Sequence, residues 1–190
     1  MAALRDRPAR ARLVAAAADL FQRHGVDAVG IEAILTDAAT AKATLYKAFG
    51  SKEALVAAVV ARQSAALRNG LRAQLTDPSL PAGAGVRRLV PVFEALAPPT
   101  PFGLALAHPT PSAVGADERI RAVAASHRDD LARLVADLAN AAGAANPDAT
   151  ATQALLLLDG ACVASAFGAR EPAFHAAAAA FDTLLRAAAL

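Results

Sequence analysis

Helical periodicity is the feature that most constrains the fold of this chain. Apolar residues recur at spacings of three and four in its long segments, and no segment shows the alternating, β-branched pattern of a strand. The hydrophobic residues, 56% of the chain, are mostly alanine and leucine, so strong helix formers dominate. The sequence therefore predicts an all-α fold.

Glycine, proline and short polar runs separate the helical segments. Gly25 can end the first helix in a left-handed conformation, and Ser51 can cap a long helix that follows three short ones. The predicted helices cover residues 8–24, 31–38, 41–49, 52–75, 86–96, 117–142, 149–167 and 173–189. This order predicts a small three-helix head at residues 1–50 and a larger helical body at residues 51–190.

Several features argue against secretion and membrane insertion. Cys162 is the one cysteine, so no disulfide can form within the chain, as is usual in a reducing compartment. Charges from Arg5 onward make the N-terminus unlike a signal peptide. The most apolar stretch, residues 149–169, has Asp159 at its centre, so an apolar span of about 20 residues is missing. We expect a cytoplasmic protein that does not partner a membrane.

The sequence shows no constellation of an enzyme or a metal site. Its four histidines, His24, His108, His127 and His175, do not have metal-ligand spacing. It contains neither a glycine-rich phosphate loop nor a GxSxG nucleophile motif. We therefore expect no enzymatic activity, no metal and no cofactor.

Lysine is confined to one short stretch near the N-terminal end. Lys42, Lys47 and Lys52 are the three lysines of the chain, and the one tyrosine, Tyr46, lies among them. The formal net charge of the whole chain is only +2. The position of these groups is therefore more informative than their sum.

The first three predicted helices have the order of a helix-turn-helix, whose second helix can enter a DNA major groove. On the helix at 41–49, Leu45 and Phe49 are expected to face inward. Lys42, Thr44, Tyr46 and Lys47 then lie on the outer surface, and ammonium and hydroxyl groups are the donors that phosphates bind. A solvated surface, with Tyr46 covering a small core, is the other interpretation of the same residues.

Four arginines precede this stretch: Arg5, Arg7, Arg10 and Arg12. A basic arm of this kind can reach along a groove. A frayed, solvated terminus is the alternative.

Residues 15–55 resemble, without a gap, the DNA-binding head of the TetR/AcrR family of transcriptional regulators. The matching positions are Leu20, Phe21, Gly25, Thr44, Leu45, Tyr46, Phe49, Lys52 and Leu55. The resemblance implies a regulator whose operator-facing residues are Lys42, Thr44, Tyr46, Lys47 and Lys52. It also implies that Tyr46 and Lys52 mainly contact phosphate.

The head departs from the family pattern at several positions. Gly30 stands where the family usually has a capping Thr or Ser, and offers no hydroxyl. Ala39 replaces the turn glycine, and a left-handed alanine there would cost roughly 1 kcal/mol. Ala41 and Ala43 replace a frequent serine and glycine, and Thr40 is the remaining candidate cap for the next helix. These changes leave fewer side chains for base reading.

For the body, the resemblance implies a two-fold dimer and a pocket for a small-molecule inducer. The last two helices carry apolar residues at helical spacings, which also favours a homodimer through these helices. These residues are Leu155, Leu158, Cys162, Ala166, Phe181, Leu184 and Leu185. The candidate pocket residues are Phe93, Leu96, Phe102, Leu104, Leu106, His108, His127, Leu131 and Phe167. Ordinary core packing is the alternative for each. No charge cluster marks an inducer, so we expect an apolar or weakly polar one.

The leading hypothesis is a dimeric repressor that binds a double-stranded operator and is released from it by a small ligand. The alternative is a helical ligand-binding or interaction protein whose DNA binding has degenerated. Gly30 and Ala39 are the residues that favour this alternative.

Overall fold

The computed structural model describes residues 8–97, 117–188 and 190, and within those ranges every regular element is a helix. The helices are α1 (Ala9–His24), α2 (Ile31–Asp37), α3 (Lys42–Phe49), α4 (Lys52–Leu75), α5 (Ala84–Arg87), α6 (Leu89–Leu96), α7 (Glu118–Ala141), α8 (Pro147–Ala166) and α9 (Arg170–Ala187). The all-α prediction is confirmed. None of the described helices is long and apolar enough to cross a membrane.

Local chemistry explains where the helix boundaries differ from the predicted ones. The side-chain oxygen of Asn146 accepts a hydrogen bond from the backbone N–H of Ala149 at 3.1 Å, so α8 begins earlier, at Pro147, where proline loses no helical bond. The predicted helix at 86–96 is divided at Arg88 into α5 and α6. Pro91 consequently lies in the first turn of α6, where its missing N–H breaks no hydrogen bond.

The described chain divides into two compact units. The head unit comprises residues 8–63 and 117–125, and the body unit comprises residues 64–97, 126–188 and 190. The domain boundary predicted after residue 50 lies just before α4 begins, and it stays a prediction.

Each unit has its own apolar core. In the head unit, fully buried side chains from α1 to α4 pack together with Ile120 of α7. These fully buried side chains are Leu13, Ala17, Phe21, Ile34, Leu45, Leu55 and Val59. The core of the body unit is formed by leucine, valine, alanine and phenylalanine from α4 to α9. Burial of the inner face of α3 in this way leaves its other face available for a function.

Arg170 at the start of α9 secures the end of α6. Its guanidinium donates to the backbone carbonyls of Glu94 and Ala97, and it lies 5.1 Å from the ring centre of Phe174. The last carbonyls of a helix have no partner within the helix, so this arginine satisfies groups that would otherwise need water.

Candidate functional site

The helix-turn-helix predicted from the sequence is present in the head unit. Residues 38–41 join α2 to α3, and α1 packs against both helices. Leu45 of α3 and Ile34 of α2 are both fully buried against this core. The inner side of α3 is therefore fixed by packing, and its outer side is fixed with it.

The outer side of α3 presents hydroxyl and ammonium groups. Lys42 and Lys47 are exposed, Tyr46 is 44% exposed, and Thr44 is half-buried. The structure thus brings together the four candidates that the sequence placed on this helix. Their contact with DNA stays a prediction.

Lys42 already has a partner within the protein. Its ammonium lies 2.9 Å from a carboxylate oxygen of Glu32, in the first turn of α2, and both side chains are exposed. The hydrogen bond from Lys42 and the negative charge of Glu32 raise the pKa of Lys42. Sequence reasoning missed this pair, because its members lie on two different helices.

Lys52 is the one candidate that lies on α4 and not on α3. It opens α4, is half-buried, and donates a hydrogen bond of 2.9 Å to the carbonyl of Val26 in the loop after α1. An ammonium group has three N–H donors, so one bond to a carbonyl leaves capacity for a bond to phosphate. Lys52 therefore links two segments of the head unit in addition to its predicted role.

The two described arginines of the predicted basic arm belong to α1. Arg10 lies with its guanidinium carbon 4.8 Å from the ring centre of Phe49 at the end of α3. Arg12 donates hydrogen bonds to the segment between α2 and α3. Arg5 and Arg7 lie outside the described residues.

The unusual residues of the helix-turn-helix have the conformations that their positions require. Ala39 has φ 46°, which for alanine costs roughly 1 kcal/mol. Gly30 precedes α2 with φ −78° and no side-chain cap. The prediction that Thr40 caps α3 is wrong, because Ala41 is the cap residue and the Thr40 hydroxyl donates to the carbonyl of Ala38.

The candidate ligand residues fall into three groups. Phe93 and Leu131 are buried in the body core, Leu96 packs against it half-buried, and His127 is only 4% exposed. Phe167 is 84% exposed and so lines no interior in the protomer. The remaining candidates, Phe102, Leu104, Leu106 and His108, lie outside the described residues.

Helices α4 and α7 run in the same direction through the body unit. Arg68 of α4 and Asp130 of α7 form an ion pair of 2.9 Å. Further along both helices, Leu75 and Leu138 both lie close to Gly85. A Cβ on Gly85 would lie 2.2 Å from the Leu75 carbonyl oxygen and 3.0 Å from Leu138 Cδ2.

From this register we infer that two buried polar side chains, one on each helix, lie at about the same level. One helical turn before Arg68 is Ser64, and about one turn before Asp130 is His127. Neither the Ser64 hydroxyl oxygen nor His127 Nδ1 has a hydrogen-bond partner among the described residues. Buried polar atoms without a partner are costly, so this level of the body unit is a candidate position for a bound polar group.

Burial keeps His127 neutral. Burial first, and the positive charge of Arg68 second, lower the pKa of the imidazole to about 4, although Asp130 and Asp159 act in the opposite direction. At neutral pH the ring therefore offers one N–H donor and one nitrogen acceptor.

His127 is expected to make the fold sensitive to acid. The pKa of His127 in the folded state lies below that of an unfolded histidine. The contribution of His127 to the free energy of unfolding is therefore complete above about pH 6.5 and is lost as pH falls toward about 4. Between pH 7 and pH 5 the free energy of unfolding should fall by about 2 kcal/mol more in the native protein than in His127→Gln. Urea unfolding at both pH values measures the difference.

His175 provides the matched control, because it is exposed on α9. His175→Gln should retain the acid sensitivity of the native protein. An equal acid sensitivity in His127→Gln would show that His127 is not its source.

Cys162 is half-buried on α8. Burial, and to a lesser extent the charge of Asp159, raises the pKa of its thiol to about 11. The thiolate is the reactive form, so this cysteine is a poor nucleophile at neutral pH. Among the described residues, no group of three His, Cys, Asp or Glu side chains could hold a metal ion.

The outer face of α8 carries an apolar stripe that sequence reasoning missed. Leu156 is 60% and Phe167 is 84% exposed, and Gly160 and Val163 lie between them at helical spacing. By contrast, Leu155, Leu158, Phe181 and Leu185, on which the sequence argument for a dimer rested, pack within the protomer core. The exposed side chains on the outer face of α9 are small: Ala176, Ala179, Ala180 and Thr183.

Comparison with known proteins connects these features to one family. Residues 13–59 match the model of the bacterial regulatory proteins, tetR family. SCO4454, a TetR-family transcriptional regulator from Streptomyces coelicolor, is 26% identical and has a similar structure over 96% of both chains, with a TM-score of 0.77. No curated protein sequence matches the chain.

More distant structures share the fold. Reduced NemR from E. coli is 18% identical, with a TM-score of 0.78 over 92% of this chain and 95% of NemR. A protein from Saccharomonospora viridis, described as a transcriptional regulator and solved in complex with choline, is 21% identical, with a TM-score of 0.74 over 94% of this chain and 95% of its own.

The fold and the exposed recognition helix define a helix-turn-helix regulator with a helical body. The tetR family model matches the head, and the chain as a whole has the fold of TetR-family transcriptional regulators. This similarity supports a DNA-binding transcriptional regulator.

Proposed function

We propose that this regulator is a homodimeric repressor that binds its operator through α3 and leaves it when a small ligand binds the body unit. The observation that carries the proposal is the outer side of α3, where Lys42, Tyr46 and Lys47 are exposed while Leu45 is buried. The proposed activity takes place in the cytoplasm and needs no catalytic step, cofactor or membrane.

The outer side chains of α3 suit the entrance of a major groove. Lysines act there as point charges toward phosphate, and hydroxyl groups such as those of Tyr46 and Thr44 donate hydrogen bonds. Lys52, at the start of α4, adds a further phosphate contact, because its ammonium keeps N–H donors beyond the one that bonds to Val26. Contacts of this kind fix the register of the head on the duplex, and few of them read bases.

The stripe on α8 supports a dimer. Leu156 and Phe167 expose much of their apolar surface, and such exposed apolar surface commonly marks a protein interface. The small outer side chains of α9 permit close packing of helices. A dimer is also what a helix-turn-helix reader requires, because two heads then meet half-sites roughly 34 Å apart.

Ser64 and His127 support an uncharged ligand with an apolar body and one hydrogen-bonding group. Ser64 lies on α4 and His127 on α7, and each has a buried polar atom without a hydrogen-bond partner among the described residues. Neutral His127 does not attract an anion, and ligand binding in this fold is known from the choline complex of the Saccharomonospora protein. A coupling of roughly 1 to 3 kcal/mol between ligand and operator would weaken DNA binding about 5- to 150-fold.

Selection of bound fragments from a random DNA pool tests the proposal. We expect an enriched site with two-fold symmetry, retarded migration of that site in a gel, and release by an uncharged ligand but not by its carboxylate analogue. Failure to enrich any sequence would refute operator recognition.

The alternative, a helical ligand-binding protein with degenerate DNA binding, is favoured by the uncapped Gly30 and by the left-handed Ala39. The two functions differ in sequence preference. A degenerate head retains a steep dependence of DNA affinity on salt but binds the selected site no better than random DNA.

Glu32→Gln is expected to raise operator affinity about 2- to 5-fold, the size of an exposed ion-pair effect. The exchange removes a negative charge beside the phosphates and releases Lys42 from its 2.9 Å partner. Fluorescence anisotropy with a labelled operator at fixed salt measures the change.

Asp19→Asn is the control for this exchange, because it also removes one exposed carboxylate and one ion pair. The partner in that pair is Arg23 on α1. It should leave the affinity unchanged. Equal gains in both variants would mean that net charge alone, and not release of Lys42, determines the effect.

A further inference from the structure

The segment between α2 and α3 contains an alanine in a conformation that favours glycine. Among the described residues, Ala39 is the one non-glycine residue with a positive φ, at 46°. The recognition helix begins three residues later, at Lys42. Any relaxation of Ala39 toward a more favourable conformation would therefore rotate α3 relative to α2.

A side chain from α1 holds this segment from outside. Arg12 Nε donates to the carbonyl of Ala38 at 3.1 Å, and its terminal nitrogen donates to the carbonyl of Ala39 at 3.4 Å and to the Thr40 hydroxyl oxygen at 3.5 Å. The Thr40 hydroxyl in turn donates to the Ala38 carbonyl at 2.9 Å. Three consecutive residues of the segment thus share one network with Arg12.

Besides Arg12, the segment is held by backbone hydrogen bonds from the N–H groups of Ala39 and Thr40 to carbonyls of α2. Helix α2 has seven residues, and neither its cap residue Gly30 nor Ala41 before α3 contributes a side-chain cap. The guanidinium lies just past the C-terminal end of α2, where it satisfies two carbonyls of the connecting segment and complements the helix dipole. Its planar fork also binds two neighbouring carbonyls in a fixed geometry, which an ammonium group does not reproduce.

We propose that Arg12 is a positioning residue for DNA binding: it holds the strained Ala39 segment and thereby sets the orientation of α3 on the operator. Arg12 does this without contacting DNA. The inference rests on the proposed operator binding, and it assigns to α1 a role in recognition beyond its packing.

A rescue experiment tests the inference on the full-length protein. Operator affinity is measured for the native protein, Arg12→Gln, Ala39→Gly and the double variant. We expect Arg12→Gln to bind about 10-fold more weakly and Ala39→Gly to bind like the native protein. The double variant should recover to within about 3-fold of the native affinity, because glycine adopts the left-handed conformation without support.

Arg12→Lys and the dependence of affinity on salt separate positioning from direct phosphate contact. If Arg12 is a positioning residue, Arg12→Lys also binds the operator weakly, and the salt slope of operator affinity in Arg12→Gln equals that of the native protein. A phosphate contact predicts that Arg12→Lys binds normally, that the slope of Arg12→Gln becomes shallower by about 1 per head, and that Ala39→Gly gives no rescue. This second pattern would overturn the inference, as would native affinity in Arg12→Gln.

Two further outcomes are distinguishable. If the native protein enriches no DNA sequence, the proposed function fails, whatever Arg12 does. If Arg12→Gln unfolds the head unit, urea denaturation monitored through Tyr46 tests the coupling between Arg12 and Ala39 instead. The coupling predicts that Arg12→Gln lowers the urea midpoint less when residue 39 is glycine than when it is the native alanine. Equal shifts in both backgrounds would refute the coupling.

Discussion

Phe167→Asp combined with Leu156→Asp is expected to convert the protein into a monomer and to weaken operator binding by at least about 100-fold. Both side chains are largely exposed in the protomer, Leu156 on α8 and Phe167 directly after the last residue of that helix. Burying one such side chain in a partner contributes about 1.5 to 3 kcal/mol, and two-fold symmetry repeats every contact. Charges facing one another across the axis would remove this contribution and add repulsion. A monomeric head then meets only one half-site.

Light scattering after size-exclusion chromatography gives the oligomeric state, and gel retardation gives the affinity for the selected operator. Ala122→Asp is the control, because it adds a carboxylate at an exposed position of α7 in the head unit, outside the α8 stripe. The control should stay dimeric and bind DNA normally. Persistence of the dimer in the double variant would remove the α8 stripe from the interface.

Lys42→Gln together with Lys47→Gln is expected to weaken operator binding by about 100-fold at physiological salt. Both ammonium groups are exposed on α3, and each released counterion contributes to affinity. The plot of log affinity against log salt should become shallower by about 2 per head. The effect should be similar for specific and random DNA, since lysine binds phosphate and not base edges.

Arg72→Gln is the matched control for charge, because Arg72 is an exposed cation of α4 in the body unit. It should change neither the affinity nor the slope. If the double lysine variant retained the native slope, the outer side of α3 would not face phosphate and the proposed interface would be wrong.

The head could be predicted closely from its sequence because its signals are local. Leu45 and Phe49 lie one turn apart, and the structure buries Leu45 fully and Phe49 partly, which fixes the outer side of α3. Gly25 ends α1 as predicted, although with φ 80° and ψ 160° it is extended and not in the left-handed helical conformation that was expected. Ala39 has the left-handed conformation that its position in the family pattern implies.

The contacts that join distant residues were not predictable in the same way. The bonds from Arg12 to the segment after α2 and from Lys52 to Val26 each connect residues more than two dozen positions apart. Periodicity assigns a side chain to a face of a helix but does not identify what that face meets.

Helix α8 shows the same limit for assembly. Apolar residues lie on both of its faces, so the sequence could not distinguish the protomer core from the outer surface. Leu158 packs inward and Leu156, only two residues earlier, is 60% exposed. The predicted dimer through the last helices is therefore supported by the exposed Leu156 and Phe167, and not by the core residues from which the sequence predicted it.

The raised pKa of Cys162 makes this residue a natural reporter of local unfolding. With a pKa of about 11, only about one thiol in ten thousand is ionised at pH 7, and the side chain is half-buried as well. A thiol-labelling reagent therefore modifies the protein mainly through molecules in which α8 has transiently opened. Since the chain has no other cysteine, the labelling rate in the presence of operator or ligand measures how each of them changes that opening, without an engineered probe.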